Sequence, residues 1–295
     1  MFLDYDQKAL DAAYDQAAYA PNREQLIKRR INDSELARRR IGEPERVAYG
    51  PAEIERLDIY RTGRAMAPVF VFIHSGAWRS GRSKDFAAPA EMFLAAGAHY
   101  VVPDFAWVQD VGGSLMVLAD QVRRAIAWVY DNAAHLDSDP DRLYVGGQSS
   151  GGHLVAVALT TDWPRDLGLP ADIIKGGMCI SGMCISGMYD LTPVRLSARS
   201  NYVEFDDVTV AALSPIKHLD RLRAPVIVPY GTCETPEFQR HNREFAAAVK
   251  TAGKKVLLVG ENYNHFELPE TLGNPYGLLG RAALDLMGLI AGAWR

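Results

Sequence analysis

The chain has 295 residues, of which 48% are hydrophobic and 23% are charged, and its 36 acidic and 32 basic side chains give a formal net charge of −4. This composition supplies enough apolar material for a large core and excludes a disordered or fibrous chain. The basic residues form no continuous stripe, so the sequence argues against nucleic acid as a partner.

The N-terminal part of the chain is predicted to be helical. Apolar residues recur at helical spacing from Asp4 to about Arg40, on both sides of Pro21, which indicates two amphipathic helices. The arginines at Arg29–Arg30 and Arg38–Arg40 are interleaved with acidic residues, so we interpret them as a solvated helix face.

Targeting signals are not evident in the sequence. The first residues lack the basic start and apolar run of a secretory signal, and the apolar runs are shorter than the roughly 20 residues that span a bilayer. The three cysteines, Cys179, Cys184 and Cys233, are too few for a disulfide framework. We therefore expect a cytoplasmic protein with no membrane partner.

After Gly42 the hydrophobic pattern becomes that of strands. Residues 53–60 alternate in part, and residues 69–73 form an apolar run typical of a strand buried on both faces. Strands that alternate with helices predict right-handed crossovers and an α/β fold, with a mostly parallel sheet of about eight strands flanked by helices. The further strand candidates are Tyr100–Val102, Leu143–Val145, Gly177–Ile180, Val226–Val228 and Val256–Val259, and the helix candidates include Leu115–Asn132, Phe238–Thr251 and Leu278–Trp294.

A tandem repeat of five residues lies at the end of one strand candidate. Residues 179–183 and 184–188 both read CISGM. Because one copy fills the strand end, we expect the other to form a bulge or a longer loop.

The strongest chemical signal is the pattern G-x-S-x-G at residues 147–151, which follows a strand candidate and precedes the helical run Gly152–Leu159. Small residues beside the serine allow a sharp strand-to-helix turn that presents the hydroxyl at a helix N-terminus, as in the nucleophile turn of α/β-hydrolases. Ser149 is therefore the candidate nucleophile. Ser150 would need a glycine at position 148, where the chain has glutamine.

A serine nucleophile needs a histidine base oriented by a carboxylate, and in this fold class the chain order is serine, acid, histidine. His265 follows the last strand candidate in a polar loop at a carboxyl end, where active sites of such sheets form. His218 lies in what reads as a short helix, and we interpret His241 as a helix-surface residue. His265 is the preferred base.

Three acidic residues compete for the orienting role. Glu234 follows the strand candidate Val226–Val228 and is preferred. Asp190, after the repeat, is the main alternative. Glu237 is the weaker one, because acidic residues are common in the first turn of a helix.

The developing oxyanion also needs hydrogen-bond donors. The strand at residues 69–73 runs into a turn of small residues, and we predict that the backbone N–H groups of Gly76, Ala77 and Ser150 form the oxyanion hole. We interpret His74, at the start of that turn, as a structural histidine.

Five segments together resemble the kynurenine formamidase (arylformamidase) group of α/β-hydrolases, over a stretch from about Tyr14 to the C-terminus. By position, the resemblance implies Ser149 as nucleophile, Glu234 as acid and His265 as base. The matching segments are HSGAW at 74–78, GQSSGGHL at 147–154, SGMYDL at 186–191, GTCETPEF at 231–238 and NHF at 264–266.

Some positions around the pocket depart from the residues usual in that group, among them the candidate acid, where glutamate is one methylene longer than aspartate but can still orient the histidine. The departures are Ser75 for glycine, Ala77 for tyrosine, Gln148 for histidine, Ser150 for alanine and Glu234 for aspartate.

Together these features predict a serine hydrolase that needs no metal or cofactor. We expect one α/β-hydrolase domain, with residues 1–41 as a helical cover and 42–295 as the catalytic core. The expected substrate is a small aromatic amide or ester, with an N-formyl arylamine as one candidate. The alternatives are a broad carboxylesterase or lipase-like enzyme and a non-catalytic binding protein, and we allow for a homodimer. The aromatic candidates for the pocket are Trp78, Trp107, Tyr189, Tyr202 and Phe266.

Overall fold

The structure is a computed structural model that describes residues 3–181 and 189–290. Its strands, in chain order, are β1 (Glu45–Ala48), β2 (Arg56–Tyr60), β3 (Ala67–Ile73), β4 (His99–Pro103), β5 (Ser138–Gln148), β6 (Gly176–Ile180), β7 (Val226–Gly231) and β8 (Val256–Glu261).

The helices of the described residues alternate with these strands from β3 onward. The α-helices are α1 (Gln7–Ala13), α2 (Arg23–Ile41), α3 (Ala90–Ala96), α4 (Leu115–Asp131), α5 (Ala133–Leu136), α6 (Ser150–Leu159), α7 (Trp163–Leu167), α8 (Asp207–Ala212), α9 (Pro236–Thr251) and α10 (Leu278–Leu286). The 3-10 helices are Gln16–Tyr19, Ser83–Phe86, Val108–Val111, Val194–Leu196, Ala198–Asn201, Pro215–Arg221 and Leu268–Gly273.

The eight strands of the described residues form one sheet in the order β1-β2-β4-β3-β5-β6-β7-β8. The pairs β1–β2 and β2–β4 are antiparallel, and the pairs from β4–β3 to β7–β8 are parallel. The predicted α/β-hydrolase fold, a mostly parallel sheet flanked by helices, is confirmed. The carboxyl ends of β3, β5, β6, β7 and β8 therefore meet at one edge.

Strand β3 shows how the sheet is covered on both faces. All seven of its residues are buried. Val69, Val71 and Ile73 belong to one hydrophobic core, together with side chains of α4, α6 and α9. Phe70 and Phe72 belong to a second core, together with side chains of α3 and α10. The alternation of side chains along a strand produces these two faces.

The N-terminal region is helical as predicted, with α1 and α2 on either side of a 3-10 turn. The interpretation of its arginines as a solvated face is wrong for Arg30 and Arg38, which are half-buried, whereas Arg29, Arg39 and Arg40 are exposed. The reason is that α2 packs one face on the rest of the protein and buries Leu26, Ser34 and Ala37 there.

One strand and the end of one helix differ from the prediction. Strand β1 was not predicted, because three of its four residues are exposed at the sheet edge and its sequence has no apolar run. The predicted helix Leu278–Trp294 ends at Leu286. Gly288 has a φ of 68°, and its N–H binds the carbonyl of Asp285, a left-handed ending that stops a helix. Residues 291–295 lie outside the described part.

The tandem repeat is described only at its start. Cys179 and Ile180 end β6, and Ser181 follows. The predicted bulge or loop falls on residues 182–188, which lie outside the described residues. Cys179 is a buried free thiol and Cys233 an exposed one.

Candidate active site

Ser149 lies in the turn between β5 and α6 in a strained conformation, with φ 59° and ψ −125°. Non-glycine residues rarely adopt a positive φ, and such strain is typical of functional turns. A Cβ atom on Gly147 would lie 2.6 Å from the carbonyl oxygen of Gly151, and one on Gly151 would lie 2.0 Å from that of Ile73. The two glycines are therefore required by close backbone packing around the serine.

His265 lies in the loop after β8, with its Nε2 atom 2.9 Å from Ser149 Oγ. The ring is held at its edges by Phe238 and Phe266, with centroid distances of 5.1 and 5.2 Å. The side-chain amide of Gln148 donates to the His265 carbonyl oxygen at 3.1 Å. These contacts fix the imidazole against the serine hydroxyl.

Glu234 follows β7, and its Oε2 atom lies 3.3 Å from His265 Nδ1. Its Oε1 atom accepts the backbone N–H of Gly231 at 2.8 Å and the hydroxyl of Ser181. The carboxylate is therefore buried but fully hydrogen-bonded, which offsets its desolvation. It lies where it can orient the imidazole.

The rival acids face other partners. Asp190 is half-exposed, accepts the backbone N–H of Thr192 at 2.9 Å and lies 3.8 Å from the Lys217 ammonium. Glu237 is buried and pairs with Arg240 and His241 at 2.8 and 3.2 Å. Burial raises the pKa of Glu237, but the hydrogen bonds and charges of His241 and Arg240 outweigh this effect and lower the pKa to about 2.

The expectation that His241 is a helix-surface residue is wrong, because its side chain is buried beside Glu237. Its pKa is lowered, chiefly by burial. His218 lies in the predicted short helix, which is the 3-10 helix Pro215–Arg221, and is half-exposed.

The turn after β3 contains three consecutive residues with positive φ, namely Gly76 at 135°, Ala77 at 56° and Trp78 at 61°. Register pairing places Ile73 opposite Gly147, so this turn starts beside the Ser149 turn. Among residues 3–181 and 189–290, the backbone N–H groups of Gly76 and Ala77 donate to no acceptor.

His74 has the structural character predicted for it. Its ring stacks between Phe105 and Phe86, at 4.2 and 5.5 Å between centroids. Burial is the main cause of its lowered pKa, so the ring stays neutral at pH 7.

The five aromatic pocket candidates have different surroundings. Phe266 contacts the His265 ring. Trp78 and Tyr189 are instead fully buried core side chains, because Trp78 packs on His153 and Phe205 and Tyr189 stacks on Phe245. Trp107 and Tyr202 lie beneath the guanidinium groups of Arg82 and Arg79.

Sequence reasoning missed two residues that hold the site in place. Ser181 binds Glu234, and Asn22, just before α2, binds Asn264 and Glu267 on either side of His265. A polar residue directly after a buried strand was a signal for Ser181. Asn22 gave no signal, because its partners are more than 240 positions away in the chain.

Two cavities near the helices differ in their relation to this site. An open groove of about 890 Å³ lies at the other end of α6 and is lined by Val157, Thr160 and Arg165. A smaller and narrower cavity of about 100 Å³ includes Gln148 and Phe266 in its wall. These two residues directly precede Ser149 and directly follow His265 in the chain.

The chain is similar to known proteins over part or most of its length. The BD-FAE family profile matches residues 57–169, a range that contains Ser149 but neither Glu234 nor His265. Kynurenine formamidase of Danio rerio is 28% identical over 251 residues, which are 82% of this chain and 81% of that protein. The protein has the α/β-hydrolase fold and is similar to kynurenine formamidases over most of its length.

Two further similarities are to proteins named as an esterase and a thioesterase. Esterase LipQ of Mycobacterium tuberculosis is 27% identical over 277 residues, which are 86% of this chain and 64% of that protein. A structure from Silicibacter sp. TM1040, of a proposed thioesterase, has a TM-score of 0.79 at 22% identity and covers 96% of this chain and 99% of its own. The predictions of family and of enzyme class are confirmed, and the chain is a serine hydrolase.

Two further observations, on metal-ligating groups and on long apolar helices, hold for residues 3–181 and 189–290. Within them, no group of three or more His, Cys, Asp or Glu side chains could hold a metal ion. Each helix found there is too short or too polar to cross a membrane.

Proposed function

We propose that the hydrolase cleaves an aryl amide or ester, with an N-formyl arylamine as its preferred substrate class, through a triad of Ser149, His265 and Glu234. The observation that carries this proposal is the chain of contacts from Ser149 Oγ to His265 Nε2 at 2.9 Å and from His265 Nδ1 to Glu234 Oε2 at 3.3 Å. The similarity to kynurenine formamidases over most of the chain supports the formyl substrate.

In the first half of the reaction, Ser149 Oγ attacks the carbonyl carbon and its proton moves to His265 Nε2. Glu234 stabilises the resulting imidazolium and holds its orientation. The oxyanion accepts hydrogen bonds from the backbone N–H groups of Gly76, Ala77 and Ser150. The bond to the leaving group then breaks, and His265 gives its proton to the departing amine or alcohol.

The second half releases the acyl group. Water attacks the acyl-enzyme, His265 takes a proton from it, and the ester bond to Ser149 breaks as that proton returns to the serine. A carboxylic acid leaves, which is formic acid for a formyl substrate. The protein, the substrate and one water molecule supply every atom and proton that these two half-reactions require.

We also propose that residues 1–41 cover the site. Asn22 binds Asn264 and Glu267, and Arg29 forms a bidentate ion pair with Glu270. Both contacts lie on the segment that follows β8 and carries His265.

Turnover of formanilide and of phenyl formate, which share the formyl group, tests the proposal. We expect both to be hydrolysed, and Ser149→Ala to lower kcat by about 10⁴-fold or more for each. Ser200→Ala, a change at an exposed serine, is the matched control and should keep full activity. Undiminished activity of Ser149→Ala would contradict the assignment of the nucleophile.

The similarity to esterase LipQ favours a broad carboxylesterase as the second candidate function. Formanilide separates the two functions, because the proposed function requires its turnover. A carboxylesterase would leave formanilide intact but hydrolyse phenyl formate and also phenyl acetate.

A further inference from the structure

The smaller cavity near the site has a mostly apolar wall. It has a volume of about 100 Å³ and lies between α2 and the segments that carry Phe86 and Phe266. Its apolar wall includes Leu26, Ile27, Phe72, Phe86, Phe266 and Leu272. In binding pockets of this kind a few polar groups determine specificity, and here the wall carries the carboxylates of Asp33 and Glu270 and one positive charge.

Arg30 supplies that charge from the inner face of α2. Its guanidinium lies 4.2 Å above the centroid of the Phe86 ring, and its Nε atom is buried with no hydrogen-bond partner in the described part of the chain. Burial lowers the pKa of Arg30, and the charge of Asp85 opposes that effect without forming a hydrogen bond. The group remains a cation at neutral pH.

The preceding arginine on α2 behaves differently. Arg29 is exposed and forms a bidentate ion pair with Glu270. That pair neutralises a carboxylate in the cavity wall. Asp33 also lines the cavity but is half-exposed, and it is not among the charges that act on Arg30. The cavity thus offers a half-buried cation that no acidic residue described by the structure pairs with directly.

A second polar atom in the same cavity lacks a partner. Gln148 donates its side-chain amide to the His265 carbonyl, but its Oε1 atom is buried and accepts no hydrogen bond from any described residue. Buried polar atoms without partners are rare in proteins and call for a ligand or water. A ligand in this cavity would meet a cationic donor at Arg30 and a neutral acceptor at Gln148.

Three residues of the cavity wall are neighbours of the groups proposed to react. Gln148 directly precedes Ser149, and the Phe266 ring contacts the His265 ring. Phe86 stacks on His74, the first residue of the turn after β3. The cavity wall is therefore built in part from residues that are next to the proposed nucleophile and base or stack on the start of that turn.

We propose that Arg30 is a specificity-determining residue that binds a carboxylate of the substrate in this cavity, so that the hydrolase prefers aryl amides or esters bearing a negative charge. The inference rests on the proposed function. Guanidinium–carboxylate pairs are strong and directional, and a partly desolvated cation gains most from such a partner.

The test uses formanilides whose ring carries a carboxylate directly or through one or two methylenes, each compared with its neutral carboxamide. For the best member of the series we expect wild-type kcat/KM to favour the carboxylate by about tenfold or more, mainly through KM. Arg30→Met should reduce this ratio to about one. Arg30→Lys, which keeps the charge, should restore part of it.

Arg39→Met is the matched control, because Arg39 is an exposed arginine of the same helix and pairs with Glu35. It should retain the wild-type ratio. Inhibition of wild-type turnover by benzoate and by benzamide gives a second measurement that does not depend on the folding of a variant, and benzoate should inhibit at lower concentration.

The outcomes separate the two proposals. The role of Arg30 would be overturned if wild type hydrolysed neutral formanilide but preferred no carboxylate in the series. It would also be overturned if the ratio of kcat/KM for carboxylate to that for carboxamide were the same in Arg30→Met as in wild type. If wild type hydrolysed none of these compounds while retaining ester activity, the proposed amide substrate would fail instead, and the ratio would be measured on the matching phenyl esters.

Discussion

Glu234 is the residue on which the proposed triad depends most. It is held at both oxygens, by Gly231 and Ser181 at Oε1 and by His265 at Oε2. Such anchoring leaves the carboxylate one orientation toward the imidazole. Residue-level reasoning from the sequence could place Glu234 at the end of a strand, but Asp190 also follows a strand. Only the three-dimensional contacts of the two residues distinguish them.

Replacement of Glu234 tests its role. Glu234→Gln should lower kcat by roughly 10²- to 10⁴-fold, because a neutral amide does not stabilise the imidazolium and favours the wrong tautomer of His265. The measurement is the rate of phenyl formate hydrolysis. Asp190→Asn is the control and should change kcat less than about threefold. A large loss in Asp190→Asn with full activity in Glu234→Gln would reverse the assignment.

At the scale of elements, the segment before α2 is fastened to the turn that carries His265. Asn22 accepts a hydrogen bond from the Asn264 side chain at 3.0 Å and donates to Glu267 at 2.8 Å. Asn264 in turn accepts the backbone N–H groups of Phe266 and Glu267 at 2.9 and 3.1 Å. This network fixes the backbone on both sides of the base and makes Asn22 a positioning residue.

We expect Asn22→Ala to lower kcat by about tenfold with little change in KM, because small displacements of a catalytic base are costly. The loss of these hydrogen bonds should lower Tm by only about 2–4 °C. Gln25→Ala, an exposed position on α2, serves as control for both measurements. A variant with the lowered Tm but full kcat would mean that Asn22 has only a structural role.

For the molecule as a whole, the sequence predicted the parts that local patterns encode. Strands buried on both faces, such as Ala67–Ile73, show as apolar runs, and the glycines at 147 and 151 reflect close backbone contacts. What it could not predict depends on packing between distant segments. Arg30 was interpreted as part of a solvated face, because nothing in the sequence indicates that Phe86 and Phe266 cover it.

The central claim is that this molecule is a serine hydrolase whose nucleophile is Ser149. The most direct test is reaction of the folded protein with a fluorophosphonate probe, followed by intact mass and peptide mapping. The account predicts one adduct per chain, located on Ser149 and absent from Ser149→Ala, whereas the Ser200→Ala control is labelled like the wild type. An adduct on another residue, or no labelling of the folded protein, would contradict it.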